Sequence, residues 1–461
     1  MFIGLKDFII APLYLFIVWQ WAKSRLRKME DEDLRKYFKL GLWLHVFGAI
    51  GFGLIYRFYY GDGDTFAYYN GARGILVLAM TDPSRLLPAF FSSDAIIRND
   101  IIWHSPSWTY SYIMNSNAEV LTIRIAAVLN VLALNTYLST SVLFGWLSFA
   151  GLWRLFLVFR ELIPVSIKYL ALSALCIPSV VFWGSGVMKD SITLAGLGFM
   201  TYSAWQLFGH GRKMLANGLI ILLSAYVVGT IKGYILLAFT PALLFFLINQ
   251  FKHKLRSEFA KTLATPAFVL VAVLLGAVFV NRIGSSLGKY SMENLETSAR
   301  ATQTWHSYVS EIEGGAGYSL GESEFTAVSM LRKFPPAVNV TLFRPYLWEA
   351  SEPIQLLSSL ESTALLALTL LVLFRAGPRR LIRYFSTHTF LQFCLLFSLI
   401  FAFAVGYTSY NFGALVRYKI PCLPFYTVFI LSLLHLSKRS NREQVEEKHG
   451  KAPARTHPIT T

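Results

Sequence analysis

Apolar residues in this chain come in long unbroken runs, not in the alternation of a half-buried strand or the narrow stripe of a soluble amphipathic helix. Ile220 to Val228, Ile235 to Ile248, Leu360 to Phe374 and Phe390 to Val405 are nearly free of charge. A helix of about 20 such residues crosses the ~30 Å hydrocarbon core of a bilayer. Inside lipid the backbone must satisfy its own hydrogen bonds, which leaves helices or closed barrels. A barrel would alternate apolar and polar residues, and these runs do not. The pattern predicts an all-α, polytopic transmembrane bundle of about eleven spans. They fall at Phe8–Trp21, Leu40–Phe58, Leu138–Phe159, Tyr169–Trp183, Ile192–Phe208, Ala216–Thr230, Tyr234–Ile248, Thr265–Asn281, Leu356–Phe374, His388–Gly406 and Ile420–Leu436.

Composition agrees. Of 461 residues, 55% are hydrophobic and 15% charged, against about 25% charged in soluble domains. The net charge of +16 could point to nucleic acid, but the basic residues sit between spans and not on one soluble face, so that class is excluded. They mark cytoplasmic loops instead. Lys23, Arg25, Arg27 and Lys28 follow the first span; Arg212 and Lys213, then Lys252, Lys254, Arg256 and Lys261, then Arg375, Arg379, Arg380 and Arg383 form later clusters. All fall on one side if the N-terminus is outside and the tail cytoplasmic, as in a plasma (inner) membrane protein. Cys176, Cys394 and Cys422 lack CxxC spacing and predict neither disulfides nor a zinc site. The first apolar stretch has its basic cluster after it, so no cleavable leader is expected.

This parity requires the apolar stretch Val120–Leu134 to lie on the outer face as an interfacial helix, since a further span would invert every later loop. Residues 1–437 then form one membrane domain with external segments at about 59–137 and 282–355. Residues 438–461 are a cytoplasmic tail, expected to be disordered from its polar composition.

Three polar motifs fall on the external face. Gly61-Asp62-Gly63-Asp64 follows the second span; its carboxylates suit general-base work or a divalent cation beside a phosphate, or form a solvated turn with Asp64 as helix cap. The hairpin Trp183-Gly184-Ser185-Gly186-Val187-Met188-Lys189-Asp190-Ser191 offers a cation and helix N–H groups to an anion, or is a tight turn capped by Asp190 or Ser191. Arg417-Tyr418-Lys419-Ile420-Pro421 breaks the positive-inside bias, as a phosphate ligand would, or anchors to headgroups at the interface. Weaker candidates are Arg57, Arg98, His104, Arg124, Lys232, Glu311, Glu313 and Arg344.

The acidic pair opening the first external loop, the interfacial helices after it, and the Arg-Tyr-Lys-x-Pro-x-x-Pro element from Arg417 to Pro424 together resemble a membrane glycosyltransferase of the GT-C superfamily. The resemblance implies a polyprenyl-phosphate or -diphosphate sugar as donor and a glycan, lipid or protein acceptor at the external face. It implies Asp62 or Asp64 as catalytic base. Lys189, Asp190, Arg417, Tyr418 and Lys419, with Arg124 and His104, would form the phosphate and substrate site. No organic cofactor is implied; a divalent cation on Asp62 and Asp64 is the alternative role for that pair. A polysaccharide polymerase or ligase would depend on external arginines such as Arg344 instead. A transporter or flippase would place ionisable residues within the spans, where His45 and Arg154 are the few present. A structural membrane subunit would need no such site.

Overall fold

The structure, a computed structural model, describes residues 3–106, 114, 116–251, 304, 317–318, 320, 327–350, 353–409 and 411–448. The described chain is helical; its β-type pairing is an isolated bridge between Gly317 and Asn411. In order the helices are α1 (Leu5–Leu26), α2 (Glu32–Ile55), α3 (Asp64–Thr81), α4 (Leu86–Phe91), α5 (Ala95–His104), α6 (Asn117–Leu132), α7 (Tyr137–Leu162), α8 (Ile167–Leu175), α9 (Pro178–Trp183), α10 (Lys189–Ala204) and α11 (Met214–Phe251). Then come α12 (Ala327–Phe343), α13 (Pro353–Ala376), α14 (Pro378–Thr387), α15 (Thr389–Thr408), α16 (Phe412–Tyr418) and α17 (Leu423–Lys448). Six described helical segments are long and apolar enough to cross a membrane, or seven if the bent pair α16 and α17 counts as one.

Contacts define two ends of the bundle. At one, the Asp7 carboxylate in the first turn of α1 accepts the Leu138 N–H at the start of α7 (2.9 Å), and Gly53 near the end of α2 packs on Tyr137. At the other, Asp31 between α1 and α2 pairs with Arg160 in the last turn of α7 (2.7 Å). Helices α1 and α7 are therefore parallel, with α2 antiparallel to both. Packing between α7 and α10 is tight because both carry glycine where they cross. A Cβ on Gly151 would meet the Ala195 backbone, and one on Gly198 would meet the backbone of Gly151. Small residues at the crossing let two helix backbones approach, the usual device where lipid supplies no hydrophobic drive.

Helix α11 does not run straight. Lys232 has non-helical torsions (φ −144°, ψ 72°). Near its start, the Asn217 side chain donates to the Arg212 carbonyl, and Arg212 itself bonds back to Gln206. Near its end, Phe246 and Phe251 pack on the Trp205 ring at 6.1 and 6.3 Å. Both termini of a 38-residue helix that would span about 57 Å if straight lie beside the same short segment. The helix folds back on itself at Lys232, between the stretches expected as spans at Ala216–Thr230 and Tyr234–Ile248. The span expected at Thr265–Asn281 lies outside the described residues.

Other expectations shift in detail. The apolar stretch 120–134 is helix α6, shorter than a span at 16 residues and packed against α3. Neither Asp190 nor Ser191 caps α10: Met188 takes the N-cap position and both lie inside the helix. Asp64 is likewise the first residue of α3, with Gly63 at the cap. The last helix continues to Lys448, ten residues past the point where the disordered tail was expected to begin. Pro421 and Pro424 coincide with a 72° bend between α16 and α17, the bend expected where proline removes N–H donors and disfavours helix before it.

Candidate functional site

The acidic turn is built by two glycines. Gly61 (φ +78°) and Gly63 (φ +148°) adopt backbone conformations that side chains disfavour, and a Cβ on Gly63 would strike the Tyr56 ring. The chain can thus reverse directly over α2, and α3 begins at once, with the Phe66 N–H on the Gly63 carbonyl (3.0 Å). This sets Asp64 facing the start of α10. The hairpin before α10 is equally close-packed. A Cβ on Gly186 would enter the Phe52 ring, the Ser191 hydroxyl donates to the Gly186 carbonyl (2.6 Å), and Ser185 Oγ bonds His45 Nδ1 (2.8 Å). The third piece, α16, is capped by Asn411, whose side chain accepts the Ala414 N–H (3.0 Å).

These pieces meet around Asp190, whose side chain is fully buried. Its Oδ1 accepts from Lys232 Nζ (2.5 Å) and its Oδ2 from Arg417 Nε (2.8 Å). Arg417 Nη1 continues to Asp64 Oδ2 (2.9 Å). The result is an alternating chain, Lys232–Asp190–Arg417–Asp64, drawn from four distant segments. Its outermost member, Asp64, has a side chain 41% exposed, against 15% for Arg417. The Tyr418 ring lies 5.0 Å from Lys232 Nζ, within cation–π range. Alongside, Glu119 of α6 accepts from Lys189 Nζ (2.6 Å) and from the Tyr68 hydroxyl (2.5 Å). Two acids face two bases in the first set and one faces one in the second, so neither carries a net charge.

The sequence-predicted residues divide accordingly. Asp64, Asp190, Arg417 and Tyr418 come together, and Lys189 joins the neighbouring Glu119 pair. Asp62 does not enter: its Oδ1 accepts the adjacent Gly63 N–H (2.7 Å) at an exposed turn. Lys419 turns the other way and is buried, with Nζ on the Arg344 carbonyl (3.1 Å) and Ser362 hydroxyl (2.7 Å). That corrects its expected role beside Arg417, because two residues along a helical turn point to different faces. His104 Nδ1 contacts the Asp100 carbonyl (2.7 Å) one turn back in its own helix α5, and Arg124 is spent on the carbonyls of Ala89 and Ser92, tying α6 to α4. Arg98 ties α5 to Met114 and Asn117. Glu311 and Glu313 lie outside the described residues.

Arg344 is held by both oxygens of Glu349. Burial raises the pKa of that carboxyl, but the Arg344 guanidinium and the Tyr346 N–H pull it below the usual range. A divalent ion on Asp64 would have to compete with the Arg417 guanidinium. Among the described residues no group of three or more His, Cys, Asp or Glu could hold a metal ion.

Glu119 and Tyr68 were missed by sequence reasoning, and Lys232 was named without a role. Lys232 did leave a signal, since it is the one charged residue within the apolar segment from Met214 to Phe251. Glu119 and Tyr68 left none, because their contact joins helices 51 residues apart. Compared with protein-family models, curated proteins and solved structures, the chain matches none.

Proposed function

We propose that the chain is a membrane glycosyltransferase that moves a sugar from a polyprenyl-phosphate or -diphosphate donor to an acceptor hydroxyl at the external face. In this reading the bundle makes about eleven crossings, with the N-terminus outside. The fold-back of α11 at Lys232 and the separation of the Asp7 and Asp31 contacts to opposite ends support that count. The observation that carries the chemistry is the Asp64–Arg417–Asp190 chain, in which an exposed carboxylate is held by a guanidinium that is itself fixed by a buried carboxylate.

The acceptor oxygen attacks the anomeric carbon, and its proton passes to Asp64 as general base. The bond from that carbon to the lipid phosphate breaks, and the electron pair leaves on the phosphate. Arg417 stabilises the departing charge, while Lys189, at the start of α10, is held by Glu119 alongside. Asp190 and Lys232 do not touch substrate; they hold the guanidinium plane in place. The test is Asp64→Asn in folded, membrane-inserted protein, with lipid-linked sugar turnover as readout. A loss of about 100-fold or more is expected; unchanged turnover overturns the assignment.

A second reading is favoured by one observation. Lys232 sits at a helix break inside an apolar segment and pairs with a buried aspartate, an arrangement that transporters use at ion and substrate sites. Lys232→Met separates the readings. A transporter loses coupled flux with no sugar-transfer activity to lose, whereas a transferase keeps donor specificity at reduced turnover.

A further inference from the structure

Away from the Asp190 chain, helices α12 to α15 and α17 enclose a groove of about 450 Å³, within the ~300–1,000 Å³ typical of ligand sites. Val372, Ile382, Phe385, Leu399, Phe429 and Leu433 contribute to its wall. The polar side chains at its edge, Thr369 and Tyr426, bond to each other (3.1 Å), so what faces the groove is hydrocarbon.

One wall is α14, a short helix pinned across the end of the bundle. Its Tyr384 hydroxyl donates to the Leu436 carbonyl (3.2 Å), and Gln392 of α15 donates to its Phe385 carbonyl (2.9 Å). Ile382 and Phe385 of α14 line the groove, while Arg379 and Arg383, one helical turn apart on the same helix, are exposed. Arg375 at the end of α13 and Lys438 on α17 are exposed at the same end. No Asp or Glu occurs between Glu361 and Glu443, and α12 has none. Over that range the elements around the groove bring no carboxylate to offset these cations.

The bias of basic residues toward one membrane face accounts for the arginines but not for an apolar groove opening beside them. A greasy cleft facing lipid accounts for the groove but not for the charge at its rim. One ligand satisfies both. We infer that the groove holds an acyl chain of an anionic phospholipid from the leaflet at this end of the bundle, with its phosphate on Arg379 and Arg383. Guanidinium groups fork onto phosphate oxygens, and basic residues beside a membrane surface draw anionic lipid to it. The site stands apart from the proposed transfer chemistry and does not depend on it.

The experiment reconstitutes the full chain in phosphatidylcholine nanodiscs with spin-labelled phosphatidylglycerol or spin-labelled phosphatidylcholine as probe. The wild type is expected to hold a motionally restricted phosphatidylglycerol component that the neutral probe competes for weakly. Arg379→Gln with Arg383→Gln should weaken the anionic component about tenfold or more, and Arg379→Lys with Arg383→Lys should restore most of it. Leu399→Trp, which fills the groove, should remove the component with the arginines intact. Equal retention of both probes by the wild type overturns the inference, whether or not any variant folds. So does an anionic preference that survives loss of both arginines.

Discussion

Arg417 and Lys419 stand two residues apart in sequence, yet they belong to two differently built regions. Around Arg417 every buried charge has an opposite partner: Lys232 and Arg417 on Asp190, and Arg417 again on Asp64. Around Lys419 a buried ammonium donates to neutral acceptors, the Arg344 carbonyl and the Ser362 hydroxyl, and the nearby Glu361 carboxylate is bonded to Ser179. The first region is a relay that ends on an exposed carboxylate. The second is a clasp, tying the bend before α17 to α13 and to the chain after α12. A basic motif read as one unit is thus one site residue and one fastening.

The comparison breaks most sharply at Asp190. Asp190→Asn leaves Lys232 and Arg417 buried without their shared counter-charge, and removing one partner of a buried pair costs about 3–5 kcal/mol. Thermal unfolding of the purified protein should show that loss. The double variant Asp190→Asn with Lys232→Met should recover part of it, because the stranded ammonium goes too. If the single variant is as stable as wild type, the carboxylate is not the hub of the relay.

Lys419→Met sharpens the other side. It removes a buried charge and the donor to the Ser362 hydroxyl, leaving the Arg344 carbonyl with the Ser362 hydroxyl alone as donor, a loss of about 1–3 kcal/mol. Stability should fall by that amount while turnover per folded molecule stays unchanged. A drop in turnover with normal stability would return Lys419 to the site. The smallest effect is expected at Asp62, where the carboxylate serves an exposed turn: Asp62→Asn should move stability by no more than about 0.5 kcal/mol. It should leave untouched any activity that Asp64→Asn abolishes. Equal sensitivity at both positions would restore the acidic pair as a unit.

Much of the fold could be read from the chain because the physics is local. A run such as Phe390 to Val405 is helical in lipid whatever surrounds it, and α15 covers it. The break after Trp183 and the bend at Pro421 also announce themselves, through glycine and proline. The site was partly legible for the same reason. Asp64, Lys189, Asp190 and Arg417 are conspicuous as charges beside apolar runs, and placing the motifs on one face brought them toward one another. What could not be read is which charge takes which partner.

The sequence by itself determined that this is a helical membrane protein and where several of its long apolar helices lie, since burying unpaired backbone in hydrocarbon is too costly for any other solution. Tertiary structure decided the pairings: Asp190 with Lys232 and Arg417, Glu119 with Lys189 and Tyr68, Lys419 with Ser362. Each depends on the rotation of a helix about its own axis and on a backbone approach such as that of Gly186 to Phe52. Rotation is set by side-chain packing over the whole bundle, and no short stretch of sequence carries that information.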